Sequence, residues 1–397
     1  MKVLQINSIY PVKSTGTIAF EIAEIQKKHG IEPYIVCGDS FTQDENVYEM
    51  NRLLYFKANI FKAHFFGKHG FYSKTATKKM LKWVDKIKPD VIHLHNIHGH
   101  YINIKLLFEY IKKNNIPVVW TLHDCWGFTG HCSHFDFIGC DKWKTGCYDC
   151  ELIKEYPVSW LFDRSDECYR DKKALFTSVE NMHITTPSDW MTGLCKESFL
   201  KGFPAETVNN GINLEKFFSM PSNLKKEMGL EDKFVIFAMV DSLNGTKGGQ
   251  YLIELSKLLE ADECIVLLSL YENLEGVPDN VHVLPRVKGT EALSRLYTMA
   301  DVFVNPSLQE SFSMVNLEAH ACGTPVVTFN SGGVLDLITE KTGVVVDRAD
   351  VKAMYDAIKR VKNGEFKGED CVKRAQEFDY KKKFERFIHI YKDILDK

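Results

Sequence analysis

The chain has 397 residues, of which 45% are hydrophobic and 26% charged, and its formal net charge is −3. This composition is typical of a soluble globular protein, and the length favours two domains over a single hydrophobic core. The slightly acidic balance argues against a nucleic-acid-binding protein, which would need an excess of positive charge.

The N-terminal residues and the cysteine content predict a cytoplasmic protein. Residues 1–7 have the pattern of a strand and lack the long apolar core of a signal peptide. We find no run of about 18 apolar residues, the length that a membrane-spanning helix needs. We expect the eleven cysteines to be reduced thiols or metal ligands rather than disulfides.

Short apolar strands alternate with helical stretches along the chain, which is the pattern of parallel sheets covered by helices on both faces. In the first half, strands are predicted at residues 3–6, 33–37, 91–95, 117–122 and 183–186. In the second half, they are predicted at 234–240, 264–268, 281–284, 302–305, 325–328 and 343–346. Helices are predicted at 18–29, 78–86, 105–114, 248–259, 290–299, 313–321 and 351–362.

The strand rhythm restarts near residue 234, after Asn209, Asn210 and Gly211, which interrupt regular structure, so a linker is expected at about 200–212. The sequence therefore predicts two α/β domains, each with a doubly wound parallel sheet. They are residues 1–205, with a cysteine-rich insert at about 123–150, and residues 206–378. Apolar positions at helical spacing predict a last helix within 379–397. Two such domains imply a cleft at the carboxyl ends of their strands.

Two glutamates flank a predicted helix start in the second domain. Ser311 and Ser313 suit an N-cap, and Gly323 suits the end of the helix that follows. Free N–H groups at a helix N-terminus attract phosphate, and carboxylates accept hydrogen bonds from sugar hydroxyls. Glu310 precedes the helix and Glu318 lies within it. Taken alone, the pair could also be a helix cap and an exposed acid.

The motifs around these glutamates carry a resemblance to a known family. They are, in order, Asn305-Pro306-Ser307, Glu310-Ser311-Phe312, Glu318-Ala319, Cys322-Gly323-Thr324-Pro325-Val326-Val327 and Gly332-Gly333. The segment resembles the donor-site signature of family-4 retaining glycosyltransferases. That resemblance implies the GT-B fold, in which two Rossmann-like domains face a cleft and a C-terminal helix crosses back to the first domain.

The resemblance also implies a nucleotide diphosphate sugar as the donor. Glu318 would bind the ribose hydroxyls, and Glu310 would bind a hydroxyl of the transferred sugar. Backbone N–H groups near Ser311 would face the diphosphate or the sugar, and Gly16 lies in a segment similar to the family's N-terminal glycine-containing loop. The donor-binding set is then Gly16, Lys247, Ser311, Phe312, Ser313 and Glu318.

The leaving nucleoside diphosphate needs positive charge nearby. The sequence contains no Asp-x-Asp motif of the kind that holds a catalytic metal, so we expect metal-independent chemistry and no cofactor for catalysis. Lys247 precedes a glycine, as does the family's phosphate-binding lysine. Ser242 stands about where the family carries an arginine, so Arg286 is a candidate replacement.

His123 follows the predicted strand at 117–122, at the end expected to face the cleft. A histidine there can hydrogen-bond a sugar hydroxyl or accept a proton from the acceptor, and a core histidine is the alternative. The family's retaining chemistry is described as front-face attack, in which the leaving phosphate takes that proton. We therefore interpret His123 as a sugar-positioning residue, with His95 and His98 as candidates on the acceptor side.

Four cysteines, Cys132, Cys140, Cys147 and Cys150, are candidates for a structural zinc site. Four thiolates can hold a tetrahedral zinc, and Cys147-x-x-Cys150 is a common half of such a site. The first pair, Cys132 and Cys140, is more widely spaced in the sequence than the cysteine pair of a usual zinc knuckle. Free thiols, two disulfides and a redox pair are the alternatives.

The same segment resembles a bacterial subset of these transferases. The shared residues are Trp120-Thr121, His123-Asp124-Cys125-Trp126, Thr129-Gly130-His131-Cys132, Cys140, Cys147 and Cys150. Members of that subset build colanic-acid-like exopolysaccharides, capsules and O-antigens. This implies a lipid-linked or oligosaccharide acceptor at the inner face of the bacterial cell membrane.

A basic and aromatic segment fits that location, since lysines attract anionic head groups while aromatic rings enter the interface. Its basic residues, against the single acid Asp85, are Arg52, Lys57, Lys62, Lys68, Lys74, Lys78, Lys79, Lys82, Lys86 and Lys88. Its aromatic residues are Phe56, Phe61, Phe65, Phe66, Phe71 and Tyr72. A solvated helix face is the alternative interpretation.

The sequence thus predicts a retaining glycosyltransferase of surface polysaccharide assembly, cytoplasmic and peripheral to the membrane. One alternative is a nucleotide-sugar epimerase of similar fold. The other is a zinc-stabilised binding protein with a decayed transferase site, against which the intact Glu310, Glu318 and Lys247 argue.

Overall fold

A computed structural model describes residues 1–50, 56–269 and 277–396. The chain forms two compact units. Unit 1 contains Met1–Asn209 and the C-terminal residues from Lys381 onward, and unit 2 contains Asn210–Tyr380. The division falls after Asn209 rather than after residue 205. The reason is that Ala205–Thr207 forms a strand of the first sheet, where a linker was expected.

In the described part of unit 1, seven parallel strands form one sheet in the order β3-β2-β1-β4-β5-β6-β7. They are β1 (Lys2–Tyr10), β2 (Glu32–Ser40), β3 (Val47–Glu49), β4 (Val91–Leu94), β5 (Val118–Thr121), β6 (Met182–Thr186) and β7 (Ala205–Thr207). The chain adds β2 and β3 on one side of β1 and then returns to the other side with β4. The switch point of this sheet therefore lies between β1 and β4.

Helices alternate with these strands along the chain. They are α1 (Lys13–Lys28), α2 (Phe56–Phe66), α3 (Lys74–Ile87), α4 (Ile104–Asn114), α5 (Ser165–Phe176) and α6 (Asp189–Glu197). In α3, Met80, Val84 and Ile87 recur at helical spacing and are buried, whereas Lys78 and Lys82 are exposed. Burial of that apolar face, more than helix propensity, holds such a helix in place.

Unit 2 repeats this architecture. In its described residues, six parallel strands follow the order β10-β9-β8-β11-β12-β13. They are β8 (Phe234–Val240), β9 (Glu263–Ser269), β10 (Val281–Pro285), β11 (Val302–Asn305), β12 (Val326–Phe329) and β13 (Gly343–Val346). The helices are α7 (Leu224–Glu227), α8 (Gly249–Ser256), α9 (Thr290–Met299), α10 (Met314–Ala321), α11 (Val351–Lys362), α12 (Gly368–Gln376) and α13 (Tyr380–Lys383). The switch point lies between β8 and β11.

The last helix, α14 (Glu385–Leu395), belongs to unit 1, although unit 2 precedes it in the chain. Its apolar positions Phe387, Ile388, Tyr391 and Ile394 are buried, as the spacing predicts. Asn181, next to β6, donates from Nδ2 to the carbonyl oxygen of Ile394 over 3.0 Å. The C-terminal helix therefore completes the core of the first unit.

All predicted strands and helices are present, but several elements escaped prediction. Residues 47–49 and 205–207 are too short for a period to show, and α2, α5 and α6 were not predicted. Within residues 1–50, 56–269 and 277–396, none of the helices combines the length and apolar character that crossing a bilayer demands.

Candidate active site

The candidate donor site lies at the switch point of the unit 2 sheet. β8 and β11 are parallel neighbours, with Ile236 opposite Val302 and Ala238 opposite Val304. Their carboxyl ends meet at one edge of the sheet, so the loops at 241–248 and 306–313 lie side by side. The Leu308 N–H joins them by donating to the Thr246 carbonyl over 2.8 Å.

Gly248 makes this close approach possible. Its φ is +80°, and a Cβ at this position would lie 2.0 Å from the carbonyl oxygen of Pro306. A side chain would therefore clash with backbone and would also strain the left-handed conformation. Glycine here places Lys247 directly beside the loop that follows β11.

Lys247 and Glu310 form an ion pair between these two loops. Lys247 Nζ donates to Glu310 Oε1 over 2.8 Å, and the two side chains are 44% and 12% exposed. Burial disfavours the charged amine, but the Glu310 carboxylate outweighs it and raises the pKa of Lys247 above its usual value. The site therefore presents a permanent positive charge that a ligand can reach.

Glu318 projects from α10 and is held by a buried tyrosine. Its Oε2 accepts a hydrogen bond from the Tyr297 hydroxyl over 2.9 Å. Tyr297 packs edge-on against Phe237 and Phe303, which fixes its ring. Burial raises the pKa of Glu318 to about 7, although the Tyr297 hydrogen bond acts in the opposite direction. Ligand hydroxyls that donate to this carboxylate would favour its ionised form.

The start of α10 differs from the predicted cap. Ser313 occupies the N-cap position, but its φ is +70° and its side chain caps no N–H group. Instead, Asn305 Nδ2 donates to Ser313 Oγ and to Asn316 Oδ1, each over 3.0 Å. In the part of the chain that the structure describes, the N–H groups of Met314 and Val315 have no acceptor, so they are available to an anion.

The neighbouring motif residues take different places. Phe312 is fully buried and packs against Phe378, with ring centroids 5.8 Å apart, so only its backbone can reach a ligand. Ser311 is half-buried at the same turn. The Gly333 N–H donates to the Glu310 carbonyl over 3.2 Å, which ties the Gly332-Gly333 segment to the glutamate.

Ser242 adds no charge beside Lys247, and Arg286 follows a strand that is not adjacent to β8. Ser242 Oγ donates to the Asn244 carbonyl within its own loop. Arg286 follows β10, the edge strand, and β9 lies between β10 and β8. The sheet order therefore separates Arg286 from the Lys247 loop.

The candidate site in unit 1 also lies at a switch point, but Gly16 is not in a loop. β1 continues to Tyr10 and α1 begins at Lys13, so Gly16 lies in the first part of that helix. A Cβ there would stand 3.0 Å from the Ile9 carbonyl oxygen. Glycine lets α1 pack closely on the end of β1. The expectation that Gly16 lies in a glycine-containing loop was therefore wrong, because the residue is helical.

His123 lies just beyond β5 and is hydrogen-bonded to His95, just beyond β4. His95 Nδ1 and His123 Nε2 are 3.0 Å apart, and the rings are stacked. Burial lowers the pKa of His95 well below its usual value and lowers the pKa of His123 to about 4. Both imidazoles are therefore neutral at physiological pH. The adjacency of the two strands explains why these histidines meet.

A second polar group beside His123 includes a residue that the sequence did not single out. His98 Nε2 lies 2.9 Å from Asp124 Oδ2, and the Tyr156 hydroxyl lies 3.2 Å from His98 Nδ1. Despite burial, His98 and the Trp126 N–H lower the pKa of Asp124 to about 2. Tyr156 lies in the irregular segment that follows the cysteine-rich insert, where no periodic pattern could have pointed to it.

The four candidate cysteines line one small cavity with His131, and none of the eleven cysteines, all of which lie in the described residues, forms a disulfide. Cys132 and Cys150 share a hydrogen bond, and the Gly130 N–H donates to Cys147 Sγ over 3.1 Å. His131 Nε2 is buried without a partner in the described residues. The donor set suits zinc chemically. Among the described residues, however, the thiols are not grouped closely enough to share one metal ion. The possible ligand atoms that lie within 4.8 Å of one another belong instead to Glu260, Asp262 and Glu263.

The basic and aromatic segment forms two features of unit 1; Arg52 and the side chain of Phe56 lie outside the described residues. The first is a cavity of about 800 Å³, whose lining includes Lys62, Lys68, Lys74 and Lys105. The second, called the aromatic patch, consists of the exposed side chains of Phe61, Phe66, Trp160, Leu161 and Phe162. The 160–162 part of this patch is remote in sequence and was not predicted.

Models of known protein families match both units of the chain. The family model "Glycosyltransferase Family 4" matches residues 15–216, and "Glycosyl transferases group 1" matches residues 222–378. The putative colanic acid biosynthesis glycosyl transferase WcaC of Escherichia coli K12 is 23% identical over 374 residues, which cover 88% of each chain. The capsular polysaccharide biosynthesis glycosyltransferase CapM of Staphylococcus aureus is 29% identical over 234 residues, covering 54% of this chain and 59% of CapM.

Solved structures share the fold. Sucrose-phosphate synthase of Thermosynechococcus elongatus superimposes with a TM-score of 0.73 at 16% identity, covering 100% of this chain and 99% of that one. Anabaena HepE in complex with UDP gives a TM-score of 0.68 at 15% identity, covering 99% and 100%. The fold and the matched domains define a glycosyltransferase of GT-B fold. The chain belongs to glycosyltransferase family 4.

Proposed function

We propose that this glycosyltransferase moves a sugar from a nucleoside diphosphate donor with retention of anomeric configuration. The observation that supports this most is the Lys247–Glu310 ion pair at the start of α10, with Glu318 on the same helix. Cationic, hydrogen-bond-donating and carboxylate groups are thereby collected at the switch point where doubly wound sheets bind ligands.

Each group has a distinct task in this proposal. Lys247 Nζ and the free N–H groups of Met314 and Val315 bind the diphosphate and stabilise the negative charge that develops on it. Glu318 accepts hydrogen bonds from the ribose hydroxyls, while Glu310 orients Lys247 and accepts from a hydroxyl of the transferred sugar. These fixed positive groups support chemistry without a divalent metal.

The proposed transfer takes place on one face of the sugar. The bond from the anomeric carbon to the diphosphate oxygen breaks, and a bond to the acceptor oxygen forms on the same face. The acceptor's proton passes to the departing phosphate oxygen. No protein base is required, which is consistent with a His123 that positions a sugar hydroxyl.

The acceptor is proposed to be a lipid-linked glycan in surface polysaccharide assembly, the process named for WcaC and CapM. The cavity in unit 1 fits its anionic group. Lys62 and Lys74 have no ion-pair partner within the described residues, whereas Lys68 is bound to Glu167 and Asp171. α3 also begins at this cavity without a side-chain cap. Inorganic diphosphate should bind there as well as at the donor site, and Lys62→Ala with Lys74→Ala should remove one of the two binding events in calorimetry while Lys247→Ala removes the other.

The aromatic patch and the lysines of α3 are proposed to contact an anionic membrane. Lys78, Lys79 and Lys82 are exposed on this helix, and each is worth about 1 kcal/mol near an anionic surface. Their joint replacement by Glu should release the protein from phosphatidylglycerol vesicles. The matched control replaces three exposed lysines of unit 2, Lys341, Lys352 and Lys367, by Glu. Equal co-sedimentation of both triple variants would reject the membrane surface.

Donor binding is the test of the proposed function. Calorimetry with UDP, GDP and ADP identifies the nucleotide, and Glu318→Ala should weaken its binding about tenfold or more. Glu310→Ala should bind it nearly as well but turn over far more slowly. Unchanged transfer in both variants would refute the donor site.

Two alternatives give different results in the same experiments. A nucleotide-sugar epimerase would convert its substrate without any acceptor and without a vesicle surface. A binding protein with a decayed site would bind none of the three nucleotides. Structural zinc at Cys132, Cys140, Cys147 and Cys150 stays a prediction, and elemental analysis of protein purified without added metal should find about one zinc per chain.

A further inference from the structure

A continuous network of buried hydrogen bonds lies beneath His123 in unit 1. It connects β1, α1, β4, β5, β6 and α14, and we call it the Gln5 network. Its side chains are Gln5, Gln26, His93, His95, Thr121, Thr185 and Tyr391, all of them buried. Because water cannot reach them, each donor and acceptor must be matched by another member.

A backbone carbonyl determines which atom donates and which accepts in each hydrogen bond of the network. Gln5 Nε2 lies 3.1 Å from the Ala19 carbonyl oxygen and 3.2 Å from Gln26 Oε1. A carbonyl oxygen can only accept, so the amide nitrogen of Gln5 must face it. Gln5 Oε1 is thereby turned toward His95, where it can only accept.

This orientation decides the tautomer of His95 and then that of His123. His95 Nε2 lies 3.0 Å from Gln5 Oε1 and must carry the proton. A neutral imidazole has one N–H, so His95 Nδ1 is an acceptor. His123 Nε2, 3.0 Å from it, must be the donor. His123 therefore has a bare Nδ1.

The second branch obeys the same logic. Gln26 Oε1 accepts from Gln5, so Gln26 Nε2 donates to the Tyr391 hydroxyl over 3.0 Å. That hydroxyl donates to His93 Nδ1 over 2.7 Å. His93 Nε2 then donates to Thr121 Oγ1, also over 2.7 Å, and Thr121 donates to Thr185. Every hydrogen is placed without conflict, which supports the assignment at His123.

We propose that the Gln5 network fixes His123 as the Nε2–H tautomer, so that its Nδ1 accepts a hydrogen bond from a hydroxyl of a bound sugar substrate. Gln5 and His95 are positioning residues for that contact. This inference rests on the proposed function, since it takes a sugar as the ligand. His123 Nδ1 has no partner among the described residues, and His123 is only partly buried, so the acceptor atom is open to a ligand.

The neutral state of the rings reinforces the geometry. Burial lowers the pKa of His93 to about 3 and that of His123 to about 4. At pH 7 neither ring gains a second proton, so the bare Nδ1 persists. A protonated His123 would instead donate from both nitrogens and would lose its value as an acceptor.

The test reads the tautomer directly, in protein without substrate. Long-range 1H–15N NMR of histidine-labelled protein should show His123 protonated at Nε2 and bare at Nδ1 at pH 7, with the signals assigned by their loss in His123→Leu. A proton on Nδ1, or an even mixture, overturns the proposal. This result does not depend on transfer activity, so it fails separately from the proposed function.

Two matched variants test the role of Gln5. Gln5→Leu removes the acceptor of the His95 Nε2–H, and His123 should then populate both tautomers. Gln26→Leu removes a similar buried amide but leaves Gln5 anchored on Ala19, and His123 should keep one tautomer. An unchanged tautomer in Gln5→Leu refutes the role. Should Gln5→Leu not fold, His95→Phe makes the same test, because it removes the acceptor of the His123 N–H directly.

Kinetics locate the sugar. Gln5→Leu should lower kcat/KM in proportion to the loss of the Nε2–H tautomer, about twofold for an even mixture, mainly through KM. The rise in KM for donor or for acceptor shows which substrate carries the hydroxyl. His123→Asn, which keeps an oxygen acceptor near the Nδ1 position, should retain more activity than His123→Leu. Equal activity of those two variants would contradict an acceptor role.

Discussion

Both sheets gather polar side chains at their switch points, but the two sets differ in charge. In unit 2 the site is ionic, with Lys247 bound to Glu310 and Glu318 nearby on α10. In unit 1 it is built on neutral rings, because burial lowers the pKa of His93, His95 and His123. In the proposed function, the same topology would therefore serve a charged ligand in one unit and hydroxyl groups in the other.

The difference shows what each site requires of its surroundings. A diphosphate carries its own charge, so a site proposed to bind it needs a reachable cation and free N–H groups, as in unit 2. A sugar hydroxyl is neutral and can donate or accept, so a site proposed to bind it must fix the direction of each hydrogen bond, as in unit 1. That direction comes from a buried network whose members are all matched.

Acidification should give the largest difference between the two units, because it should destabilise unit 1 more than unit 2. Unit 1 buries neutral histidines with pKa values lowered to about 3 at His69 and His93 and to about 4 at His123 and His131. The unfolded chain binds protons near pH 6.5, before the folded one does, so stability falls as the pH drops from about 6.5 toward 4. Each unit of pKa difference is worth about 1.4 kcal/mol. Unit 2 has one such histidine among its described residues, His320.

Hydrogen exchange followed by mass spectrometry at pH 7.0 and 5.0, corrected for intrinsic rates, measures this difference. Peptides from β4 and β5 should lose more protection than peptides from β8 and β11 in the same sample. Equal loss in the two sets would contradict the assignment of neutral histidines to unit 1.

Lys247→Ala should have the largest effect on catalysis. Without the Lys247 cation, the departing diphosphate of the proposed reaction lacks its main counter-charge. We therefore expect kcat to fall about 100- to 1,000-fold, as it does when one preorganised charge-stabilising group is lost. Steady-state kinetics with the donor identified by calorimetry measure it. Lys352→Ala, at an exposed lysine of the same unit, should be unaffected. A tenfold or smaller loss in Lys247→Ala would place the diphosphate elsewhere.

Gly248→Ala should destabilise unit 2 without changing any charged side chain. The added Cβ meets the Pro306 carbonyl oxygen at 2.0 Å and is strained at φ +80°. We expect a loss of about 1–3 kcal/mol in the free energy of unfolding. Urea denaturation provides the measurement. Gly229→Ala is the control, since φ is +67° there but nothing lies within 4 Å of the added Cβ. Equal losses would mean that the contact with Pro306 does not matter.

Tyr297→Phe should have the smallest effect and sharpen the role of Glu318. Burial raises the pKa of Glu318 to about 7 even though the Tyr297 hydrogen bond lowers it, and loss of the hydroxyl removes that lowering effect. That pKa should rise further, so nucleotide affinity at pH 7 should fall, by less than tenfold, and recover at pH 8.5. Calorimetry at both pH values tests this. Tyr355→Phe removes a similar bond to Glu263 outside the site and should leave affinity unchanged.

The local structure of the candidate donor site could be predicted in part from the sequence because most of its residues cluster in one short segment. Glu310, Glu318 and the turn at Ser311 are fixed by strand, loop and helix in succession. The contact between Lys247 and Glu310 could not be derived, since it depends on β8 and β11 being neighbours. The capping role of Ser313 was wrong because Asn305 binds its hydroxyl.

The network in unit 1 lay beyond prediction for a different reason. His93 and Tyr391 are 298 residues apart in sequence, and no local pattern pairs them. A signal was nonetheless present, because Gln5 and His93 each stand between two apolar residues of a strand, Leu4 and Ile6 or Ile92 and Leu94. A polar residue inside a buried strand needs a partner, and that requirement indicates a network without naming its members.

The return of α14 to unit 1 has a consequence for biosynthesis. The β4 strand leaves the ribosome long before Tyr391, and at about 5–20 residues per second the delay is roughly 15–60 s. During that interval His93 and Gln26 lack their shared partner, and the apolar surface that α14 covers is open. The nascent chain therefore holds an unfinished first unit while the whole of the second is synthesised, and the final helix is the step that ends its exposure to aggregation and to chaperones.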